Sequence, residues 1–217
     1  MDGFQFIDII LLAMVAGFLI LRLRSTLGRR TGHEQGQENF SSKKVVSLSK
    51  SDQTNVFDDE NQSLSENKIN TGLNEILEHE PNFDMDEFKE GALKAFEMII
   101  NAFAKKDMDS LSSLLSDQVL LGFKKAIKEY EDAGEVLETE IVKVNLPEIL
   151  QVNVSDSVAT ISVRFESDQI NLIKSEDGDV IEGDPNQIES SVDEWTFQKN
   201  LSDQDPNWEL AKTSTPS

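Results

Sequence analysis

The sequence has no cysteine, two histidines and one tyrosine among its 217 residues. Without cysteine the chain has no disulfide framework, no thiolate metal site and no cysteine nucleophile. Both histidines, His33 and His79, precede the part of the chain that is patterned to fold, so no histidine triad or zinc cluster is expected there. Tyr130 falls on an apolar helical stripe and is predicted to be a core residue. We therefore expect no enzyme active site, no cofactor and no metal.

Positive charge is also scarce, and its distribution is uneven. Residues 1–50 hold seven of the 20 Lys and Arg and four of the 41 Asp and Glu, which leaves 13 basic and 37 acidic side chains for residues 51–217. Such an acidic surface repels phosphate and offers no basic groove for the counterion release that drives nucleic-acid affinity. We expect no nucleic-acid partner.

An apolar segment covers residues 4–21, interrupted by Gln5 and Asp8. A membrane-spanning helix needs about 20 predominantly apolar residues, so the segment is near the lower limit. Basic side chains follow it and none precedes it, so the positive-inside rule predicts a single span with the N-terminus outside. A cleaved signal peptide and an interfacial helix are the alternatives. The residues predicted to form the anchor are Phe4, Phe6, Ile9, Leu12, Phe18, Leu21, Arg22 and Arg24, and Arg29 and Arg30 extend the basic stretch.

The chain divides into three predicted parts: an anchor with its basic segment over residues 1–30, an acidic linker over 31–82, and a folded domain over 83–217. The linker is rich in Ser, Asn, Gln, Asp and Glu and carries scattered apolar residues. Because this composition buries too little apolar area to offset the ordering entropy, disorder is predicted. Leu73, Ile76 and Leu77 share one helical face, which indicates either a transient turn or a docking segment.

The folded part begins with helical periodicity. Acidic residues at 84–86 indicate a helix start, and apolar side chains then recur at three- and four-residue spacing to Phe103. A short second helix around 111–115 and a third from Asp117 follow, and Gly134 is predicted to end the third.

After Gly134 the apolar residues alternate with polar ones, which is typical of half-buried antiparallel strands. The predicted strands cover residues 137–141, 152–154 and 159–165, followed by strands near 173, 195–197 and 208–210, with a loop over 175–184. Helices first and strands afterwards predict an α+β domain in which the helices pack on a curved antiparallel sheet.

The segments FKEGALKAFEMIINAFAKKDMDSLSSLLSDQVLLGFKKAI (88–127), ATISVRF (159–165), VIEGDP (180–185), DEWTFQK (193–199) and DPNWELAKT (205–213) occur in an order and spacing that resembles the Tim44-like family, in its bacterial membrane-anchored branch. The resemblance implies a cone-shaped fold, similar to nuclear transport factor two, around an apolar cavity. It also implies association with an inner membrane, where the mitochondrial relative tethers a chaperone motor beside the import channel. The long N-terminal half of that relative has no match here, so motor function is not carried over.

A set of apolar residues falls on the predicted inner faces, where it could line a cavity for an acyl chain or an apolar peptide or simply fill the core. The set is Phe96, Phe103, Phe123, Ile127, Ile161, Val163, Phe165, Trp195 and Phe197.

The function predicted from these features is a membrane-anchored adaptor at the cytoplasmic face of a bacterial inner membrane, with protein partners of unknown identity. The alternative is a lipid-binding or lipid-transfer module. A basic cluster on the helices could meet a headgroup or an acidic partner, or could be a solvated face. It comprises Lys105, Lys106, Lys124, Lys125 and Lys128.

Overall fold

A computed structural model describes residues 56–203 and 205–214. Its helices are α1 (Val56–His79), α2 (Met85–Ala104), α3 (Met108–Leu114) and α4 (Asp117–Ala133). Its strands are β1 (Glu135–Val144), β2 (Glu148–Ser155), β3 (Val158–Ser175), β4 (Val180–Glu182), β5 (Glu189–Asn200) and β6 (Glu209–Ser214). The predicted α+β order of helices followed by an antiparallel sheet is confirmed.

The helix ends follow the local chemistry of the sequence. The Asp84 carboxylate accepts hydrogen bonds from the backbone N–H groups of Asp86 and Glu87, which satisfies two of the donors left free at the start of α2. Gly134 adopts a left-handed φ of 66° directly after α4, where a side chain would be strained. Both predicted boundaries are confirmed.

The sheet is built around β3, an 18-residue strand. β1 and β2 pair with successive parts of one edge, β5 and the short β4 pair with the other, and β6 continues beyond β5, all antiparallel. The sequence predicted two separate strands here, around 159–165 and near 173. They are continuous because the buried polar side chains between them are satisfied: the Gln169 amide donates to the Ser167 hydroxyl at 2.8 Å.

Two smaller differences concern the ends of the sheet. The predicted loop over 175–184 contains β4, which folds back on β3. The last strand was predicted to centre on Trp208 and Leu210, but β6 begins at Glu209, and Trp208 packs against aromatic rings before the strand.

The core lies between the helices and one face of the sheet. Alternate β3 residues from Ala159 to Phe165 point to this face and are fully buried, as the two-residue period predicted. Phe96 of α2 stacks on Phe165 with ring centroids 4.5 Å apart and lies 4.8 Å from the ring of Trp195. Each such aromatic pair contributes about 0.5–1.5 kcal/mol beyond its burial.

The prediction of a disordered linker through residue 82 is wrong for residues 56–79, which form α1. This helix packs against β2, and Ile76 is fully buried in the same core cluster as the sheet. At Gly72 the helix backbone approaches β2 so closely that an added Cβ would lie 2.3 Å from the carbonyl oxygen of Val152. A polar helix is stable here because a few apolar side chains and one glycine fit it to the strand.

The predicted membrane anchor, from Phe4 to Arg24, lies outside the described residues. Within the part of the chain that the structure describes, no helix has the length and apolar character needed to cross a membrane.

Substituting Gly72→Ala is expected to destabilise the domain by about 1–3 kcal/mol, because the new methyl group overlaps the β2 backbone. The matched control is Gly91→Ala in α2, where nothing lies within 4 Å of the added Cβ. That variant is expected to stabilise the helix by about 0.5–1 kcal/mol. Chemical denaturation of both variants measures the difference, and equal stabilities would contradict the close packing of α1 on β2.

Candidate functional site: an aromatic groove beside the α1–α2 junction

The residues predicted for an apolar pocket lie together in the core. Eight of the nine belong to the core cluster, and Phe103 packs against it with its ring centroid 5.2 Å from that of Phe123. Their rings and methyl groups contact one another across the helix–sheet interface. These residues therefore belong to the core or pack against it, and the prediction that they bind an apolar ligand stays a prediction.

A separate groove of about 640 Å³ opens where α1 ends and α2 begins. Of the residues predicted for the pocket, Phe197 alone is among those lining it. The lining residues are Glu80, Pro81, Asn82, Phe83, Asp84, Glu87, Phe88, Gly91, Ala92, Lys94, Ala95, Met98, Leu114, Phe197, Lys199, Pro206, Asn207 and Trp208.

An aromatic cluster forms the wall of the groove. The ring of Phe88 lies 5.0 Å from that of Trp208, 6.0 Å from that of Phe197 and 6.2 Å from that of Phe83. Trp208 and Phe83 are half-buried, so each presents part of its ring toward solvent. The wall therefore offers aromatic faces for an apolar or cationic group.

Small residues on α2 make room for the groove. Gly91, Ala92 and Ala95 all line it, and Gly91 leaves its backbone uncovered. One turn further on, Met98 is 51% exposed and adds a flexible apolar side chain. These residues leave space for a ligand between α2 and the segment at 206–208.

An ion pair with a buried lysine is part of the groove lining. Lys199 of β5 is buried and pairs with Glu80, which follows α1. A buried ammonium group is costly unless a partner offsets the lost hydration, and Glu80 supplies that partner. The pair also ties the end of α1 to the sheet.

The surroundings of the groove are acidic. Glu87 and Glu90 lie exposed on α2, and Asp205 and Glu209 flank the lining segment 206–208. Lys94 is the exposed cation among the lining residues. The rim therefore favours a ligand with positive charge over an anionic headgroup.

The lysines singled out from the sequence do not contribute to this groove. Lys106 lies 3.8 Å from Glu131 and links the end of α2 to α4, whereas Lys124, Lys125 and Lys128 are exposed on α4. Tyr130 is half-buried and packs edge-on to Phe103 at 6.2 Å. Burial raises the pKa of its phenol, and the carboxylates of Glu135, Glu182 and Glu129 raise it further.

An acidic group also lies at the edge of the core. Asp193 is the register partner of Phe165, so its side chain is on the face of the sheet that the helices cover. Burial raises the pKa of this carboxyl, and the hydrogen bond that the Ser191 hydroxyl donates to it at 2.8 Å lowers the pKa in part. Over residues 56–203 and 205–214, no group of three or more acidic or histidine side chains is placed to hold a metal ion.

The groove was not predicted from the sequence. Phe83 and Trp208, which form much of its wall, are single aromatic residues in polar segments 125 positions apart. Each of the two follows a proline by two residues, Pro81 and Pro206, and this is the one local feature that they share. It does not show that the two segments contact each other in the fold.

The fold and the groove define an α+β domain with an aromatic surface groove in acidic surroundings. The chain belongs to the Tim44-like domain family, whose family model matches residues 69–215. The match begins inside α1, which agrees with the packing of that helix on the domain. The predicted resemblance is confirmed.

Individual relatives fall into two groups. An uncharacterised protein of Rickettsia prowazekii is 25% identical over 95% of this chain and 96% of its own length. The probable mitochondrial import inner membrane translocase subunit tin-44 of Caenorhabditis elegans is 24% identical over 67% of this chain and 35% of its length. The mitochondrial import inner membrane translocase subunit TIM44-1 of Arabidopsis thaliana is 19% identical over 63% of this chain and 29% of its own length. The chain thus spans about a third of these translocase subunits.

Among solved structures, the intermembrane space region of the chloroplast protein ARC6 aligns with a TM-score of 0.44 and 14% identity, over 63% of this chain and 99% of that one. A likeness at this level supports no statement about function.

Asp193→Asn is expected to stabilise the domain relative to the parent chain at pH 7 more than at pH 4. Because the raised pKa makes the native state bind the proton more tightly than the unfolded state, stability falls as pH rises from the ordinary aspartate pKa through the native one. The amide has no charge to desolvate and keeps an acceptor for Ser191.

Denaturant titrations at the two pH values measure this difference, and Asp132→Asn, exposed on α4, is the control. If Asp193→Asn changes the free energy of unfolding equally at pH 7 and pH 4, burial of Asp193 does not penalise its charged form.

Proposed function

We propose that this chain is a membrane-anchored adaptor at the cytoplasmic face of a bacterial inner membrane, where it holds protein partners during protein translocation or membrane-complex assembly. The observation that carries the proposal is the Tim44-like match over residues 69–215. The relatives from worm and plant are named as subunits of the mitochondrial import inner membrane translocase, which supports a place beside a translocation machinery.

The N-terminal sequence supports the membrane part of the proposal. Residues 4–21 are long and apolar enough to be read as a span, and four arginines follow them. The cone-shaped, nuclear-transport-factor-two-like fold is likewise part of the proposal, supported by helices that cover one face of the sheet. The proposal assigns no catalytic step to the chain.

The groove supports the adaptor part. Its aromatic wall and exposed Met98 resemble the anchors that protein interfaces use, because such side chains bury large apolar areas on contact. The groove lies where α1 ends and α2 begins, so residues 31–79 connect it to the predicted anchor. A partner bound there is tethered to the membrane.

Photo-crosslinking in cells tests the adaptor function. A photoreactive residue at Met98 is expected to form adducts with proteins of the translocation machinery in the membrane fraction. The control is the same residue at Val142 on β1, which is 46% exposed and lies away from the groove. Ile9→Asp with Leu12→Asp is expected to release the chain from membranes and abolish the adducts.

Two outcomes would contradict the proposal. One is a full-length parent chain that stays in the supernatant after membranes are pelleted. The other is an identical adduct pattern from positions 98 and 142.

A lipid-binding module is the second candidate, favoured by the volume and apolar wall of the groove. If the groove holds an acyl chain, native mass spectrometry of the full chain in neutral detergent is expected to show a retained lipid. Gly91→Trp is expected to remove that lipid, because the indole fills open space in the groove. Absence of lipid from the parent chain, or its retention by Gly91→Trp, would exclude this candidate.

A further inference from the structure

The groove combines an aromatic wall with an acidic rim. The chain itself contains a segment that is both basic and apolar. Residues 22–30 read RLRSTLGRR, with four arginines, two leucines and no acidic residue. By contrast, residues 51–217 carry 13 basic against 37 acidic side chains. Residues 41–50, SSKKVVSLSK, are also basic and free of acidic residues, but their cations are lysines. Residues 22–30 supply four arginines, whose planar guanidinium groups stack on aromatic rings, and therefore match the aromatic groove better.

We propose that residues 22–30 bind in the groove of the same chain. Leu23 and Leu27 pack against the aromatic wall, and the arginines lie over Trp208 and beside the rim carboxylates. This contact goes beyond the adaptor function and does not depend on it.

The chemistry of the groove suits arginine in two ways. A guanidinium group stacks on an aromatic face, and Trp208 presents a half-buried indole at the mouth of the groove. Glu87, exposed on the rim, offers a carboxylate for a charge-assisted hydrogen bond. An anionic headgroup meets the same carboxylate with repulsion.

The length of the chain permits the contact. Residues 31–55 separate the segment from α1, and a polar linker of this length has an r.m.s. span of about 25–30 Å and a fully extended length of about 80 Å. The 24 residues of α1 measure about 36 Å, and the helix ends beside the groove. The linker can therefore return along α1 and place residues 22–30 in the groove.

Anionic lipids compete for the same arginines. An anionic membrane surface attracts each basic side chain near it, so four of them favour the bilayer when such lipids are present. The groove is then empty and open to another ligand. On a neutral membrane or in neutral detergent, the segment occupies it.

The absence of cysteine from the chain makes a crosslinking test direct. Thr26→Cys is combined with Asn207→Cys at the groove, and for comparison with Glu140→Cys, exposed on β1. In dilute full-length protein in neutral detergent, oxidation is expected to give the 26–207 disulfide within one chain roughly tenfold faster than the 26–140 disulfide, because docking raises the effective concentration. Equal rates, or a disulfide between two copies, would overturn the proposal.

Further variants separate the contributions. Three variants are expected to slow formation of the 26–207 disulfide: the pair Arg22→Ser and Arg24→Ser, the pair Leu23→Ser and Leu27→Ser, and the single change Gly91→Trp. The control pair Lys43→Ser and Lys44→Ser is expected to leave the rate unchanged. If the lysine pair has the same effect as the arginine pair, or if the leucine pair has none, the contact is non-specific charge attraction and groove docking is wrong.

Vesicles test the competition. With the chain reconstituted in phosphatidylcholine, the 26–207 disulfide is expected to form readily, and adding about one third phosphatidylglycerol is expected to suppress it. Insensitivity to phosphatidylglycerol would overturn the competition between membrane and groove.

Discussion

The position of α2 on the sheet depends on the contact of Phe96 with Phe165 and Trp195. The three rings lie at the middle of the helix and at the centre of the two longest strands, with centroids 4.5–5.5 Å apart. The contact sets both ends of α2: Phe88 at one end meets Phe197 and Trp208, and Phe103 at the other meets α4. The shape of the groove therefore depends on a packing contact in the core, and close packing there holds the aromatic wall in place.

Much of the fold could be predicted because local chemistry and global packing agree. The apolar residues of α2 and α4 recur with helical spacing since one side of each helix faces the sheet, and Asp84 and Gly134 mark ends that need a cap and a left-handed residue. The alternation from Ala159 to Phe165 reports one buried face of β3. The prediction failed beyond Phe165 because Ser167 and Gln169 are polar and yet buried, and their mutual hydrogen bond is invisible in a hydropathy pattern.

The features that were missed depend on contacts between segments that are far apart in sequence. The sequence of α1 is rich in polar residues, and the attachment of the helix relies on Ile76 and on the fit of Gly72 against Val152, neither of which a composition argument detects. The groove depends on Phe83 and Trp208, which come from two connecting segments. When a site is formed by contacts between distant connecting segments, sequence periodicity predicts the helices and strands but does not identify the residues of the site.

The length of β3 has a consequence for how the protein is made. β1 and β2 lie end to end along the same edge of β3, so neither can use the other as its partner, and both leave the ribosome before the strand that will pair with them. β2 pairs with residues 158–164 and β1 with residues 167–175, so translation must reach Ser175 before β1 can complete its backbone hydrogen bonds. Until then, a growing chain carries the unpaired edge of β1, and Glu135, Glu138 and Glu140 place charge along it, which discourages pairing between nascent chains.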